Sequence, residues 1–243
     1  MRILLNKIRH RLKKKHKIYL IDIIDVDAIT KTYRFKKPNN VHWEPGSNGL
    51  FAFSEFKKKG IIDYSYVRHM TILNCTHDTF DFTCRIPGSK SLFKKKLTNL
   101  KIGDMMYLYD VRHDCPLLRD NKHIVLLSMG VGIVTYKGLF EEYQENKEGV
   151  KSLVSINVDR HRTNLYQTVF NSYIEMIYIS NRSAFYNAIK PYLYQENTMF
   201  YIAGSEVFHH DLIRFLKDQN ITSKDIIIDR QDRYRKSYYG LED

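Results

Sequence analysis

The chain has 243 residues, 43% of them hydrophobic, which is enough to bury one large core or two modest ones. No apolar run reaches the roughly 18 residues of a membrane span, and Ile3-Leu4-Leu5 is too short for the core of a secretory signal. Three cysteines, Cys75, Cys84 and Cys115, without a C-x-x-C pair argue against a zinc ribbon or an iron–sulfur cluster and for a reducing, cytoplasmic setting.

The formal charge of +12 is unevenly placed, because the first 17 residues hold eight Lys or Arg and no acid. Ile8 and Leu12, with Leu4 or Leu5 one turn earlier, would share one face of a short helix ringed by cations. Residues 1–18 therefore read as a basic arm, either solvated or in peripheral contact with an anionic membrane or an acidic protein. Nucleic acid is not expected, because the arm lacks the aromatic residues that stack on bases.

From 19 to 118 the pattern is short and mostly extended. Runs at 19–26, 32–36, 51–56, 79–86 and 105–109 alternate or are β-branched and aromatic. Pro45-Gly46, Pro87-Gly88 and Gly103-Asp104 supply the turns between them. This spacing predicts a small antiparallel β-barrel, interrupted by one helix in which Leu92, Lys96, Leu97 and Leu100 fall at helical intervals.

The period changes near 116–121, where Pro116 and Asp120-Asn121 break the pattern. From 119 to 243, strand-like runs at 122–128, 153–158, 175–180, 198–203 and 225–229 alternate with amphipathic stretches. This predicts an α/β domain with a parallel five-stranded sheet. The clearest helix is 206–217, with Ser205 as its N-cap. Two segments, 122–135 and 199–206, run from a buried strand into a glycine turn and then towards a helix. Glycine lets the backbone approach a bound group, and a following helix start favours phosphate. Either turn alone would be an ordinary strand end.

The order Trp43-x-Pro45-Gly46, Arg68-x-x-Thr71, Gly88-x-x-Ser91, Gly103-Asp104, Gly130-x-Gly132 resembles the ferredoxin–NADP reductase superfamily over roughly residues 19–230. The resemblance implies that the barrel binds FAD. Arg68 would pair with its diphosphate and Thr71 would set a hydroxyl beside the reactive ring nitrogen. Met70 stands where the family stacks a tyrosine, and a thioether also packs on aromatic rings. Gly88, Ser91 and Ser89 would receive the diphosphate. Gly130 and Gly132 keep both glycines of the family's G-T-G-x-T-P turn toward the nicotinamide dinucleotide, whose usual threonine and proline are replaced in a segment that ends at the candidate Thr135. Gly204 and Ser205 match its C-G motif, with Ala203 in place of the cysteine, and Thr71 and Ser205 are the candidate catalytic hydroxyls. Ser180 and Arg182 would hold the 2′-phosphate of NADPH, with NADH also open, and Tyr234 would cover the flavin. No metal site is expected, since His113 and the His209-His210 pair lack a third ligand at helical spacing.

The function implied is an FAD-dependent NAD(P)H oxidoreductase, passing electrons to an acidic carrier such as flavodoxin or ferredoxin, or to a small acceptor. One rival is a flavin- or nucleotide-binding subunit that has lost turnover and serves regulation or assembly, motivated by Met70, Val131 and Ala203. A second rival is a basic lipid- or nucleic-acid-binding protein that uses a two-domain fold.

Overall fold

The computed structural model describes residues 15–39, 41–44, 46–54, 64–86, 88, 91–162, 164–172, 174–230 and 232–240. The basic arm 1–14, Pro45, Pro87, Ser89 and the Tyr234 side chain lie outside the described residues. The chain divides after His113 into two compact units.

In the first unit, β1 (Lys15–Asp25), β2 (Thr30–Lys36), β3 (Asn48–Ala52), β4 (Val67–Thr71), β5 (Thr79–Arg85) and β6 (Met105–Arg112) form one sheet. Its order is β4-β3-β6-β1-β2-β5, every pair antiparallel. Just beyond β4, Leu73 and Asp81 exchange backbone hydrogen bonds of 2.7 and 2.8 Å. That bridge joins the two edge strands, so the curled sheet closes as a barrel and hides its unpaired edges.

The interior is aromatic. Phe35 stacks on Phe80 and Phe82 with centroids 5.7 and 5.5 Å apart, and Trp43 meets Phe80 edge-on at 5.0 Å. The helix α1 (Leu92–Thr98) adds Phe93 and Leu97, both fully buried. Asp81, also fully buried, is matched by Arg34, whose Nε and Nη2 donate at 2.9 and 3.1 Å, and by Asn74 at 2.8 Å. A buried carboxylate is tolerated only with partners of this kind.

Two boundaries differ from the sequence pattern. β1 begins at Lys15, four residues before the apolar run, because pairing with β6 carries it through Lys15 and Lys17. β3 occupies 48–52 rather than 51–56. Gly49 sits inside it where a Cβ would come 2.5 Å from Leu108, so the strand packs through a residue that pattern reading treats as a breaker.

In the second unit, β7 (Lys122–Met129), β8 (Val150–Val158), β9 (Glu175–Ile179), β10 (Thr198–Ala203) and β11 (Ile226–Ile228) form a parallel sheet in the order β11-β10-β7-β8-β9. The helices are α2 (Lys137–Glu145), α3 (Gln167–Phe170), α4 (Arg182–Leu193), α5 (Glu206–Asp218) and α6 (Asp232–Tyr239). Ile124 to Leu127 of β7 and Met199 to Ala203 of β10 are buried, largely apolar runs because both are central strands. From β7 the chain winds outward through β8 to β9, then returns to lay β10 on the other side of β7. The strand order therefore reverses between β7 and β10, and ligand crevices of open α/β sheets lie at the carboxyl ends of such strands.

Candidate functional site

The candidate residues fall into one group in each unit. In the first unit, β4 carries Arg68, Met70 and Thr71. Arg68 reaches across to the start of α1, where its Nη2 donates to Ser91 Oγ at 2.7 Å and its Nη1 to the Val67 carbonyl at 2.6 Å. Its guanidinium also lies 6.0 Å from the centre of the Phe93 ring, a face that favours a cation. Ser91 has extended backbone and precedes the helix, yet its hydroxyl makes no capping bond to it. Two residues 23 positions apart thus meet as a cation and a hydroxyl at a helix start. Gly88, at φ +69°, turns the chain just before it, with open space where a side chain would stand.

Met70 is half-buried against the barrel core, and Thr71 is buried. Opposite Thr71 in the β3–β4 ladder is Asn48, whose amide oxygen is buried without a hydrogen-bond partner. Asn48 escaped sequence reading because a single amide within a strand carries no pattern. The neighbouring Cys84 thiol is pushed up by burial and only partly drawn back by Lys94 and Arg68, so it is a packing group and not a thiolate.

In the second unit, β7 runs directly into a 3-10 turn, Gly130–Tyr136. Gly130 has φ +56°, a conformation that costs most side chains, and its carbonyl accepts the Asn157 amide at 3.0 Å. Asn157, buried on β8, also donates to Ser128 Oγ at 2.8 Å, so one side chain pins the strand end and the turn. A Cβ on Gly132 would lie 2.6 Å from the Ala203 carbonyl and 3.3 Å from the Gly204 Cα. The two glycine turns are therefore in contact, and Gly132 is glycine because the end of β10 occupies its side-chain space. Thr135 is buried within the 3-10 turn.

After β10, Gly204 is hemmed in by Phe208, whose ring would come 2.7 Å from a Cβ. Ser205 is exposed, and its hydroxyl accepts the Phe208 N–H at 3.2 Å, capping α5. The structure thus brings Gly130, Gly132, Gly204 and Ser205 together at the point of strand reversal. Farther out, Asn181 caps α4 by accepting the Ala184 N–H at 2.9 Å, and Ser180 precedes it. Arg182 Nη1 donates to Asp211 Oδ2 at 2.9 Å, an acid on α5 that sequence spacing did not connect to it. Arg160, His161 and Arg162 stand exposed after β8. Among the described residues no three His, Cys, Asp or Glu side chains are grouped to hold a metal ion.

No protein-family model matches the sequence, and no curated protein does. Solved structures do match the fold. A ferredoxin NADP+ reductase from Neisseria gonorrhoeae with bound FAD and NADP superposes with a TM-score of 0.69 at 16% identity, over 89% of this chain and 98% of that one. A siderophore-interacting protein from Acinetobacter baumannii gives 0.73 at 14% identity, over 94% and 97%. A flavohemoglobin from Malassezia yamatoensis with bound FAD and heme gives 0.68 at 12% identity, and the chain covers 93% of itself but 63% of that larger protein. Likeness at these identities is likeness of architecture. The antiparallel barrel followed by a five-stranded parallel sheet is the two-domain architecture that this chain shares with the ferredoxin NADP+ reductase.

Proposed function

We propose that the chain is an FAD-dependent NAD(P)H oxidoreductase, with FAD on the barrel unit, which ends at His113, and the nicotinamide nucleotide on the α/β unit, which begins at Asp114. The observation that carries this reading is the pairing of two built features. Arg68 and Ser91 join at a helix start in one unit, and the Gly130 and Gly204 turns touch at the strand reversal in the other.

The residues present suit both groups. A guanidinium fork and a hydroxyl beside backbone N–H groups match a diphosphate. The orphaned Asn48 acceptor suits a ring N–H of a bound heterocycle. When bound, the nicotinamide and flavin supply hydride transfer, and the protein contributes binding, orientation and exclusion of water. Arg68, Ser91 and Gly88, with Ser89, would hold the diphosphate, Thr71 would orient the flavin ring edge, and Met70 and Tyr234 would pack on it. Gly130, Gly132, Thr135 and Gly204 would admit the dinucleotide backbone, and Ser205 would offer a hydroxyl at the nicotinamide end.

NADPH is favoured over NADH, with Ser180 and Arg182 on its 2′-phosphate. The acceptor is a small acidic carrier or a small molecule, which suits the basic charge of the chain. The protein works in the cytoplasm, with the arm offering peripheral contact with anionic membrane. A second reading, a nucleotide-binding subunit without turnover, draws on Met70 and Ala203 at positions where the family has tyrosine and cysteine. An absorbance spectrum of the purified protein, before and after anaerobic NADPH, separates the two. A flavin spectrum that NADPH bleaches supports the enzyme, a flavin that NADPH leaves oxidised supports the subunit, and a colourless protein that takes up no FAD overturns both.

A further inference from the structure

At the end of β10 the ladder runs out before the turn does. β11 has three residues, and its last register pair with β10 is Ile202 with Ile228. The carbonyls of Gly204 and Ser205 lie beyond it, on the turn that touches Gly132. Three side chains meet there.

His209, with no exposed surface, sits one helical turn after Ser205. Its Nδ1 is 2.8 Å from the Ser205 carbonyl, and its Nε2 is 3.2 Å from the Ile202 carbonyl and 2.7 Å from Asp229 Oδ1. Arg230 Nη1 donates to the same carboxylate oxygen at 2.5 Å, and its Nη2 to the Gly204 carbonyl at 3.0 Å. One half-buried carboxylate therefore links two side chains that hold the carbonyls of residues 202, 204 and 205.

We propose that His209, Asp229 and Arg230 form a positioning network that sets the Gly204–Ser205 turn for the nicotinamide nucleotide. The proposal rests on the dinucleotide reading above. Both ring nitrogens of His209 face only acceptors. The ring therefore spans from the Ser205 carbonyl on one side to Asp229, and through it Arg230, on the other. For Arg230, burial works against the charge, but Asp229 and Tyr238 outweigh it and its pKa is raised. The groups facing His209 are Asp229 beyond β11, Tyr238 of α6 with its ring 5.7 Å away, and Arg230 behind Asp229. On its own helix, the adjacent His210 stacks on Tyr238 at 4.7 Å.

His209→Gln retains one amide donor but cannot span both sides, and Arg230→Lys retains the charge but not the two-pronged contact. Each variant should keep the flavin content of the wild type, raise the KM for NADPH about tenfold or more, and show faster hydrogen exchange at the Gly204 and Ser205 amides.

The KM should rise while kcat at saturating NADPH stays within about twofold of wild type, a split that simple loss of stability would not produce. Should His209→Gln fail to fold, Arg230→Lys carries the KM, kcat and exchange measurements. Wild-type KM and exchange in these variants, or a fall in kcat with KM unchanged, would overturn the network. A wild type whose flavin NADPH does not bleach instead removes the dinucleotide reading, and this proposal with it.

Discussion

Arg68 is the residue on which the flavin assignment is most exposed to test. A charge-assisted hydrogen bond to phosphate contributes about 1.5–3 kcal/mol, so Arg68→Ala should weaken FAD about tenfold or more in a fluorescence titration. Because Arg68 already holds Ser91 at 2.7 Å, Ser91→Ala should perturb the same contact. The double variant should then fall short of the sum of the two single losses. Full additivity would mean that the two do not act on one ligand group, and wild-type affinity in Arg68→Ala would remove the assignment. At the outer strands, Arg182 is paired with Asp211 through side chains 54% and 32% exposed, and such pairs contribute only about 0–1 kcal/mol. A 2′-phosphate could therefore displace the acid at little cost. Arg182→Ala should lower kcat/KM for NADPH several-fold while sparing NADH, and Asp211→Asn should shift the preference toward NADPH. Equal losses for the two nucleotides would make Arg182 structural and turn attention to Arg160 and Arg162. The sequence displays Arg68 through its R-x-x-T motif and Arg182 through its place just after a recognisable strand. Asn48, Asn157 and Asp229 were invisible, since their roles depend on which residue lies opposite in a ladder or beside a helix start.

The glycine turns belong to the scale of elements, because each is shaped by its neighbour. Gly132→Ala would drive a methyl group to 2.6 Å from the Ala203 carbonyl, which is backbone and cannot swing away. The end of β7 must then part from the end of β10, at about 1–3 kcal/mol of stability for an overpacked site. The expected result is a lowered Tm, loss of NADPH binding and retention of flavin, measured by thermal melts and nucleotide titration. Unchanged nucleotide affinity would show that the contact between the turns does not shape the site. The parallel strands were legible because two-sided burial demands continuous apolar runs, as in Ile124 to Leu127 and Met199 to Ala203. β4 was not legible as a strand from alternation, since Val67–Thr71 mixes two cationic or ionisable residues into five and is recognised through its motif. The start of β1 was hidden for a related reason, because Lys15 and Lys17 face outward in a strand that the sequence presents as part of a basic arm.

For the whole molecule, the +12 charge is concentrated in the arm, and the described fold sharpens the test of what that arm does. β1 pairs with both β6 and β2, with Lys15 opposite Tyr109, so a truncation that enters Lys15 would strip a ladder from the barrel. Removing residues 2–14 takes away six Lys or Arg and leaves that strand whole. The truncated protein should keep its flavin, its Tm and its NADPH oxidation with a small artificial acceptor, since every residue assigned to either cofactor lies at or beyond Asn48. Electron delivery to an acidic carrier protein, or binding to vesicles containing phosphatidylserine, should fall several-fold. The remaining activity should also depend less on salt, because charges on an exposed arm are screened over about 8 Å at physiological ionic strength. Measuring both processes from low to high salt distinguishes the two destinations, as only the one the arm serves loses its salt dependence on truncation. Transfer and vesicle binding that are both indifferent to the deletion would leave the arm no role in docking. Loss of flavin on the same deletion would make it part of the barrel.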